Sequence, residues 1–268
     1  MKVARTVREL REALAEAHLT GKRIGLVPTM GALHEGHLSL LRAARETCDT
    51  VVVSIFVNPA QFGRGEDLEH YPRDEAGDLA VAEGASVDVV YAPSVDEMYP
   101  AGFDTWIDPG KIGTYLEGAA RPGHFRGVAT VCMKLFEQVG PQVAFFGRKD
   151  AQQVAVVRQV VADLDLPVEI VACPTIRDPD GLALSSRNVF LSERERVTAR
   201  ALLRALEAGL RAGRSGDDAV RAARSVLDLE PGLRVDYVAE ADLDGRTLAV
   251  AVLVGSTRLI DNVRLVEE

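Results

Sequence analysis

The residues best suited to chemistry lie in segment 28–37, which reads Pro-Thr-Met-Gly-Ala-Leu-His-Glu-Gly-His. An apolar run, 24–27, precedes this segment and leucines at helical spacing follow it, so His34 and His37 are predicted to lie where a strand ends and a helix begins. A helix start presents unpaired backbone N–H groups and the positive end of the helix dipole, which together stabilise an anion. Imidazoles can donate to phosphate oxygens, and Gly36 lets a bulky ligand approach the backbone. The segment therefore predicts a nucleotide site.

Metal binding is the alternative interpretation of the two histidines. His34 and His37 follow an H-x-x-H spacing, which differs from the i,i+4 pair of a zinc hydrolase helix, and a metal site requires a further ligand. The cysteines (Cys48, Cys132 and Cys173) are far apart among apolar neighbours and form no CxxC pair, which predicts buried, reduced thiols. The sequence therefore predicts no protein-bound metal centre.

Composition limits the classes of partner. The 268 residues carry a formal net charge of −9, so a nonspecific nucleic-acid-binding surface is not expected and positive charge must be local to any anion site. No apolar run approaches the ~18 residues of a membrane span. Charges throughout residues 1–23 argue against a signal-peptide core. We therefore expect a cytoplasmic protein with small-molecule substrates and without a nucleic-acid or membrane partner.

Short apolar runs alternate with amphipathic segments over the first two-thirds of the chain. The predicted strands are 24–28, 50–56, 87–91, 143–146 and 168–172, and the predicted helices are 38–48, 74–83, 128–139 and 152–164. This order predicts an α/β fold, a Rossmann-like parallel sheet with helices on both faces. In such sheets, ligands bind at the carboxyl ends of the strands, which is where segment 28–37 falls.

The pattern changes in the last third of the chain. Ser192 and Glu195 form a capping box, which predicts the start of an amphipathic helix bearing Leu203, Leu206 and Leu210. A polar break and a second helix follow, and then strands are predicted at 235–238, 248–254 and 259–263. Helices followed by consecutive strands indicate a small α+β domain.

We therefore predict two domains, a Rossmann-like nucleotide- and substrate-binding domain over 1–180 and a small α+β domain over 181–268. Residues 109–127, near the middle of the chain, are rich in glycine and include two prolines. That composition favours either a flap that moves over the site or a plain surface connection.

Three further clusters lie at or beside predicted strand ends. Asn58 and Gln61, with Tyr71 soon after, offer groups that bind a carboxylate or hydroxyl without adding charge. Residues 147–150 offer a lysine for phosphate and an aspartate for a helix cap or ribose, and residues 184–187 offer two hydroxyls and a forked cation. Each cluster alone is also explained by a turn or a polar loop. Their common placement favours one ligand site.

Longer motifs carry a specific family resemblance. His34–His37 resembles the HxGH signature of nucleotidyltransferases, and residues 184–187 resemble the second, KMSKS-type signature of that superfamily, with arginine where lysine is common. The strings VPTMGALHEGH, SIFVNPAQF, HFRGV, FFGRKD and LALSSRN occur in this order. They closely resemble the pantothenate synthetases, or pantoate–β-alanine ligases, and the resemblance runs over residues 1–268.

The resemblance implies a ligase that condenses (R)-pantoate with β-alanine through a pantoyl adenylate, releasing pyrophosphate and AMP, in pantothenate and coenzyme A biosynthesis. It implies ATP as a substrate accompanied by Mg²⁺, and a homodimer. By similarity the catalytic residues would be His37, as proton donor or transition-state stabiliser, with His34, Lys149 and Arg187. The ATP-binding residues would be Met30, Gly31, Ala32, Leu33, His34, Glu35, Gly36, His37, Gly147, Arg148, Lys149, Asp150, Ile176, Leu184, Ser185, Ser186 and Arg187. Pantoate and β-alanine would be bound by Gln61, Gln153, Asn58 and Tyr71.

Two positions depart from the family pattern, and two other functions remain as alternatives. Arg148 stands where glutamate is common, and Leu184 replaces methionine. A different HxGH enzyme is the first alternative, but the amides of Gln61 and Gln153 suit an uncharged hydroxy-acid grip better than a second phosphate. The second alternative is a nonenzymatic nucleotide sensor, which would be expected to have lost His37, Lys149 or Arg187.

Overall fold

The computed structural model describes residues 1–63 and 65–265, which form two compact units. The first unit comprises Met1–Gly147 and Gln152–Cys173, and the second comprises Arg148–Ala151 and the residues from Pro174 onward. The domain boundary predicted at 180/181 stays a prediction. In the structure, the change of unit falls after Cys173, and the short segment after the fifth strand groups with the second unit.

A six-stranded parallel sheet forms the centre of the first unit, and its strand order is β1-β4-β3-β2-β5-β6. The strands are β1 (Lys2–Ala4), β2 (Ile24–Thr29), β3 (Thr50–Ile55), β4 (Val89–Tyr91), β5 (Val143–Gly147) and β6 (Glu169–Cys173). The helices along this part of the chain are α1 (Val7–Leu19), α2 (Glu35–Thr47), α3 (Glu75–Gly84), α4 (Val95–Met98), α5 (Glu117–Ala120), α6 (His124–Val139) and α7 (Ala151–Asp163). The parallel α/β fold predicted from the sequence is confirmed.

Helices cover both faces of this sheet, because successive strand residues point to opposite sides. Leu26 and Val52 pack in one core with residues of α1, α6 and α7. Val27 and Val53 pack in a second core with residues of α2 and α3. The chain runs from β2 outward to β4 and then returns to β5 on the other side of β2. The topological switch point, where such sheets bind ligands, therefore lies between β2 and β5.

The first strand and helix lie outside the sequence-based prediction. A capping box opens α1: Thr6 accepts the backbone N–H of Glu9, and the Glu9 carboxylate accepts the backbone N–H of Thr6. Leu10 and Leu14 are spaced i,i+4 on the helix and are fully buried. The i,i+4 spacing of Leu10 and Leu14 is present in the sequence, but the many charged residues of 1–23 make it difficult to recognise.

Residues 109–127 are folded, and their last part is the first turn of α6. The side chain of Gln152, at the start of α7 and 4% exposed, holds the segment. Its amide donates to the carbonyls of Ile112 at 2.9 Å and Tyr115 at 2.8 Å, and its oxygen accepts the N–H of Glu117 at 3.0 Å. Closure of the segment over a ligand stays a prediction.

The second unit contains helices packed on an antiparallel sheet with strand order β7-β8-β9, as the predicted α+β domain requires. Its elements are α8 (Glu193–Ala199), α9 (Ala201–Arg214), α10 (Ala219–Asp228), β7 (Leu233–Asp242), β8 (Arg246–Val254) and β9 (Thr257–Arg264). Ser192 and Glu195 form the predicted capping box. The helix they open ends at Ala199, however, so Leu203, Leu206 and Leu210 belong to the next helix, α9.

Candidate active site

The histidine pair lies at the carboxyl end of β2, beside the switch point. His34 is the N-cap of α2: its Nδ1 accepts the N–H of Gly36 at 3.1 Å, and its own backbone N–H donates to Nδ1 of His37 at 3.3 Å. The two ring centroids are 4.2 Å apart. Since both Nδ1 atoms accept a hydrogen bond, each neutral imidazole carries its proton on Nε2. The Nε2–H groups are therefore the donors that this pair can offer to a phosphate oxygen.

This geometry corrects the expectation of unpaired backbone N–H groups at the start of α2. The N–H of Gly36 is taken by the His34 ring, and the N–H groups of His37 and Leu38 donate to the His34 carbonyl at 2.8 and 3.0 Å. These three N–H groups therefore have acceptors within the protein, and an anion site at this helix start stays a prediction. Glu35, in the first turn, forms a salt bridge with Arg42, and this hydrogen bond lowers the pKa of the Glu35 carboxyl.

The loop before the histidines is held in an unusual conformation. Gly31 has φ +85° and Ala32 has φ +51°. The carboxylate of Asp78, on α3, accepts the N–H of Ala32 at 2.9 Å and that of Leu33 at 2.6 Å, and the Thr29 hydroxyl accepts that of Gly31 at 3.2 Å. A left-handed alanine costs roughly 1–2 kcal/mol. Each hydrogen bond to a charged group contributes about 1.5–3 kcal/mol, so the carboxylate offsets the cost. Sequence reasoning missed Asp78, which is 46 residues from Ala32 and carries no motif.

A buried amide pair lies after β3. Gln61 donates from Nε2 to the sulfur of Met30 at 3.1 Å and accepts at Oε1 from Asn58 Nδ2 at 3.0 Å. Asn58 also donates to the carbonyl of Gly127 at 3.2 Å, and its Oδ1 accepts from the Ala60 N–H and the Tyr99 hydroxyl. The amide of Asn58 thus has a protein partner for every donor and acceptor. Asn58 accordingly fixes Gln61, while its predicted contact with substrate stays a prediction.

The backbone of Gln61 is held by a second group of side chains. Its carbonyl accepts from Nδ1 of His124 at 2.8 Å and from Arg121 at 3.3 Å. Nε2 of His124 lies 3.2 Å from an Arg121 nitrogen, so this ring is neutral and accepts there. Burial, with the neighbouring Arg121 charge, lowers the pKa of His124 to about 4. Arg121 is bound in turn by both carboxylate oxygens of Glu66, at 2.9 and 2.6 Å.

The other predicted substrate residues of this unit are Tyr71 and Gln153. Tyr71 is buried and packs edge-on against Phe62, with the ring centroids 5.9 Å apart. Gln153 is half-buried on α7, next to the buried Gln152. The structure thus brings Gln61 to Met30 and to Asn58, whereas for Tyr71 and Gln153 a common site with Gln61 stays a prediction.

In the second unit, the predicted phosphate-binding lysine lies in a 3-10 turn, Arg148–Asp150. Lys149 Nζ lies 3.4 Å from Asp150 Oδ1. The Asn262 amide, on β9, donates to the carbonyls of Arg148 at 2.8 Å and Lys149 at 2.9 Å. Sequence reasoning missed Asn262, whose only signal was a polar residue within an apolar strand.

The remaining predicted ATP residues form a compact turn in the same unit. The Leu184 N–H donates to the Ile176 carbonyl at 2.9 Å, which joins the predicted adenine contact to the second signature. Ser185 caps the turn Ser186–Phe190 by accepting the Arg187 N–H at 3.3 Å. An ion pair with a buried carboxylate supports this region, because the half-buried Arg177 donates to both carboxylate oxygens of Asp261, at 2.6 and 3.0 Å. Asp261 precedes Asn262, so neighbouring β9 residues anchor both predicted phosphate-binding segments.

The described residues contain neither a cluster of metal ligands nor a membrane-spanning helix. Among residues 1–63 and 65–265, no group of three or more His, Cys, Asp or Glu side chains is arranged to hold a metal ion. In the same described ranges, no helix is both long and apolar enough to cross a bilayer. All three cysteines are buried and form no disulfide in the structure.

A parallel α/β sheet carries a capping histidine pair beside its switch point, which is where sheets of this type bind ligands. The family model for pantoate-beta-alanine ligase matches residues 2–264, and the chain belongs to that family, whose members are ligases. A pantothenate synthetase of Roseiflexus castenholzii is 56% identical, with 98% of each chain covered. A pantothenate synthetase of Thermus thermophilus has a crystal structure similar to this one, with TM-score 0.93 and 46% identity over 100% of both chains.

A third relative carries ligands. The pantoate-beta-alanine ligase of Francisella tularensis, solved in complex with beta-gamma ATP and beta-alanine, has TM-score 0.86 and 34% identity. The match covers 99% of this chain and 98% of that one.

Proposed function

We propose that this chain condenses (R)-pantoate with β-alanine at the expense of ATP, giving pantothenate, AMP and pyrophosphate. The observation that carries the proposal is the histidine pair, whose Nδ1 atoms are both occupied by backbone N–H groups. Two Nε2–H donors are thereby presented at the switch point of a parallel sheet. The neutral amide of Gln61, bonded to Met30 in the loop before the pair, supplies a second type of binding group.

The first chemical step is an in-line displacement between anions. A carboxylate oxygen of pantoate forms a bond to the α-phosphorus of ATP, and the bond to the leaving pyrophosphate breaks. Positioning and charge neutralisation dominate such a step. His34 and His37 donate from Nε2 to phosphate oxygens, and His37 acts as proton donor or transition-state stabiliser. Lys149 and Arg187 neutralise phosphate charge.

The second step uses the mixed anhydride. The neutral amine of β-alanine attacks the acyl carbon of pantoyl adenylate, the bond to AMP breaks, and the proton that the nitrogen loses passes to solvent. Gln61 and Gln153 bind pantoate through neutral amides, Gln61 also lies near β-alanine, and Tyr71 contributes to the same pocket. Residues 30–37, 147–150 and 184–187 line the ATP site, where Ser185 and Ser186 bind the phosphates and Ile176 lies at the adenine.

Further properties follow from the family resemblance. Mg²⁺ enters with ATP as the MgATP substrate, held by phosphate oxygens and water, since that ion keeps several waters and needs few carboxylates. The protein is a homodimer of the cytoplasm, and its buried cysteines, which form no disulfide, suit a reducing compartment. Light scattering in solution tests the dimer.

An ATP–pyrophosphate exchange assay across several carboxylic acids tests the function. Exchange is expected with pantoate, and addition of β-alanine is expected to release pantothenate and AMP. His37→Ala and Lys149→Ala should each slow exchange about 100-fold or more, the scale of one preorganised donor. His70→Ala is the matched control, because His70 is exposed. Exchange with another acid but not with pantoate would overturn the substrate assignment.

A further inference from the structure

The loop Gly31–Leu33 is held by a carboxylate that the reaction itself does not use. Asp78 is 4% exposed and accepts the N–H groups of Ala32 and Leu33 at its two separate oxygens. It lies in the first turn of α3, where the positive end of the helix dipole stabilises its charge. A Cβ built on Gly31 would lie 2.7 Å from Asp78 Oδ2, so only glycine fits beside this carboxylate.

The held loop leads directly into the histidine pair. Leu33, whose N–H is bound by Asp78, precedes His34, the N-cap of α2. The backbone N–H of His34 is the donor that occupies Nδ1 of His37 at 3.3 Å. The direction of that N–H depends on the peptide plane that follows Leu33. A loop that left the left-handed region would therefore move the His34 N–H away from the His37 ring.

We infer that Asp78 is a positioning residue for the histidine pair: by binding the N–H groups of Ala32 and Leu33, it sets the His34 backbone and keeps the His37 proton on Nε2. The expected effect of Asp78 on the reaction rate rests on the proposed function. Its expected effect on the protonation of the His37 ring does not. The inference also means that the N–H groups of Ala32 and Leu33 donate to Asp78 and not to a ligand. Both residues line the predicted ATP segment, yet their N–H groups are not the ones that bind phosphate.

Asp78→Asn tests the inference with a near-isosteric change that replaces one acceptor by a donor facing an N–H. The rate of ATP–pyrophosphate exchange at saturating ATP and pantoate should fall about 10- to 100-fold, the scale of a misplacement near 1 Å. The KM for pantoate should change little. If the carboxylate acted only as a negative charge near an anion site, its removal would lower the KM for ATP and leave kcat unchanged, which would overturn the inference.

Asp74→Ala is the matched control on the same helix. Asp74 is the exposed N-cap of α3 and accepts the Gly77 N–H at 3.0 Å, so this variant weakens α3 and leaves both loop bonds in place. Both variants are assayed at a temperature where circular dichroism shows them folded. A kcat for Asp74→Ala within twofold of the unsubstituted protein is expected. An equal loss of kcat in both variants would assign Asp78 a merely structural role.

Nitrogen-15 NMR of the histidine rings gives a readout independent of activity. In the unsubstituted protein, Nδ1 of His37 should show the shift of an unprotonated nitrogen and Nε2 that of a protonated one. Asp78→Asn should average the two shifts, and an unchanged ring spectrum would overturn the inference. This measurement separates failure of the inference from failure of the proposed function. If the proposed function were wrong, the unsubstituted protein would show no exchange with pantoate, but the ¹⁵N shifts of its His37 ring would be unaffected.

Hydrogen exchange on the unsubstituted protein serves if Asp78→Asn does not fold. The Ala32 and Leu33 amides should exchange slowly without nucleotide. MgATP should slow them no more than it slows the Val27 amide of the neighbouring strand β2. A selective slowing of the Ala32 and Leu33 amides by MgATP would show that they bind phosphate and would overturn the inference.

Discussion

Gly127→Ala tests whether the backbone approach of α6 positions the Gln61 amide. A Cβ on Gly127 would lie 2.2 Å from the Ala60 carbonyl oxygen and 2.7 Å from the Gln61 nitrogen. Ordinary contacts of this kind are about 3.5 Å, so the turn carrying Gln61 must move by roughly 1 Å. A misplacement of that size costs about 100-fold in rate. We therefore expect kcat/KM for pantoate in the exchange assay to fall about 100-fold, while the KM for ATP stays nearly constant.

The stability of the same variant should change less than its activity. Overpacking costs about 1–3 kcal/mol, and alanine in a helix interior regains about 1 kcal/mol over glycine. Gly84→Ala is the control, since a Cβ on Gly84 meets nothing within 4 Å. This control should retain full activity. A kcat/KM for pantoate within twofold of the unsubstituted protein for Gly127→Ala would refute the link between α6 and the Gln61 site.

Three further predictions concern the supporting side chains. Because the pKa of His124 is lowered to about 4 from an unfolded value of ~6.5, its neutral form stabilises the fold above pH ~6.5, and this contribution is lost as the pH falls through about 4. Between these pH values, the free energy of unfolding should fall by about 3 kcal/mol more in the unsubstituted protein than in His124→Asn. Denaturant titrations at each pH measure this difference. An equal pH dependence of the unfolding free energy in the two proteins would contradict the lowered pKa of His124. Gln152→Ala removes three hydrogen bonds and leaves a buried N–H without its acceptor, so urea titration should show a loss of about 2–4 kcal/mol; a loss below 1 kcal/mol would mean that the 109–127 segment is held by other contacts. Asn262→Ala removes the hydrogen bonds to the carbonyls of Arg148 and Lys149. The KM for ATP should then rise about 10-fold, with little change in the KM for pantoate. An unchanged KM for ATP would contradict the role of Asn262 in holding this turn.

The sequence by itself determined the class of fold and the principal chemical groups. Alternating apolar and amphipathic segments predicted the parallel sheet, because hydrophobic periodicity is a local property of the chain. The position of His34 and His37 after β2 was predicted for the same reason, since a strand end and a helix start can both be recognised within a few residues. The motif strings indicated the family, which the comparisons confirmed.

Tertiary structure decided how those groups are held and which of their atoms accept backbone hydrogen bonds. Asp78 lies 46 residues from Ala32, and Asn262 lies 113 residues from Lys149. No local pattern encodes such pairs, because they form only when distant elements pack together. The protonated nitrogen of each histidine depends likewise on backbone N–H directions that folding sets. The sequence placed two imidazoles at a helix start, and the fold determined that the N–H groups of Gly36, His37 and Leu38 donate within the protein.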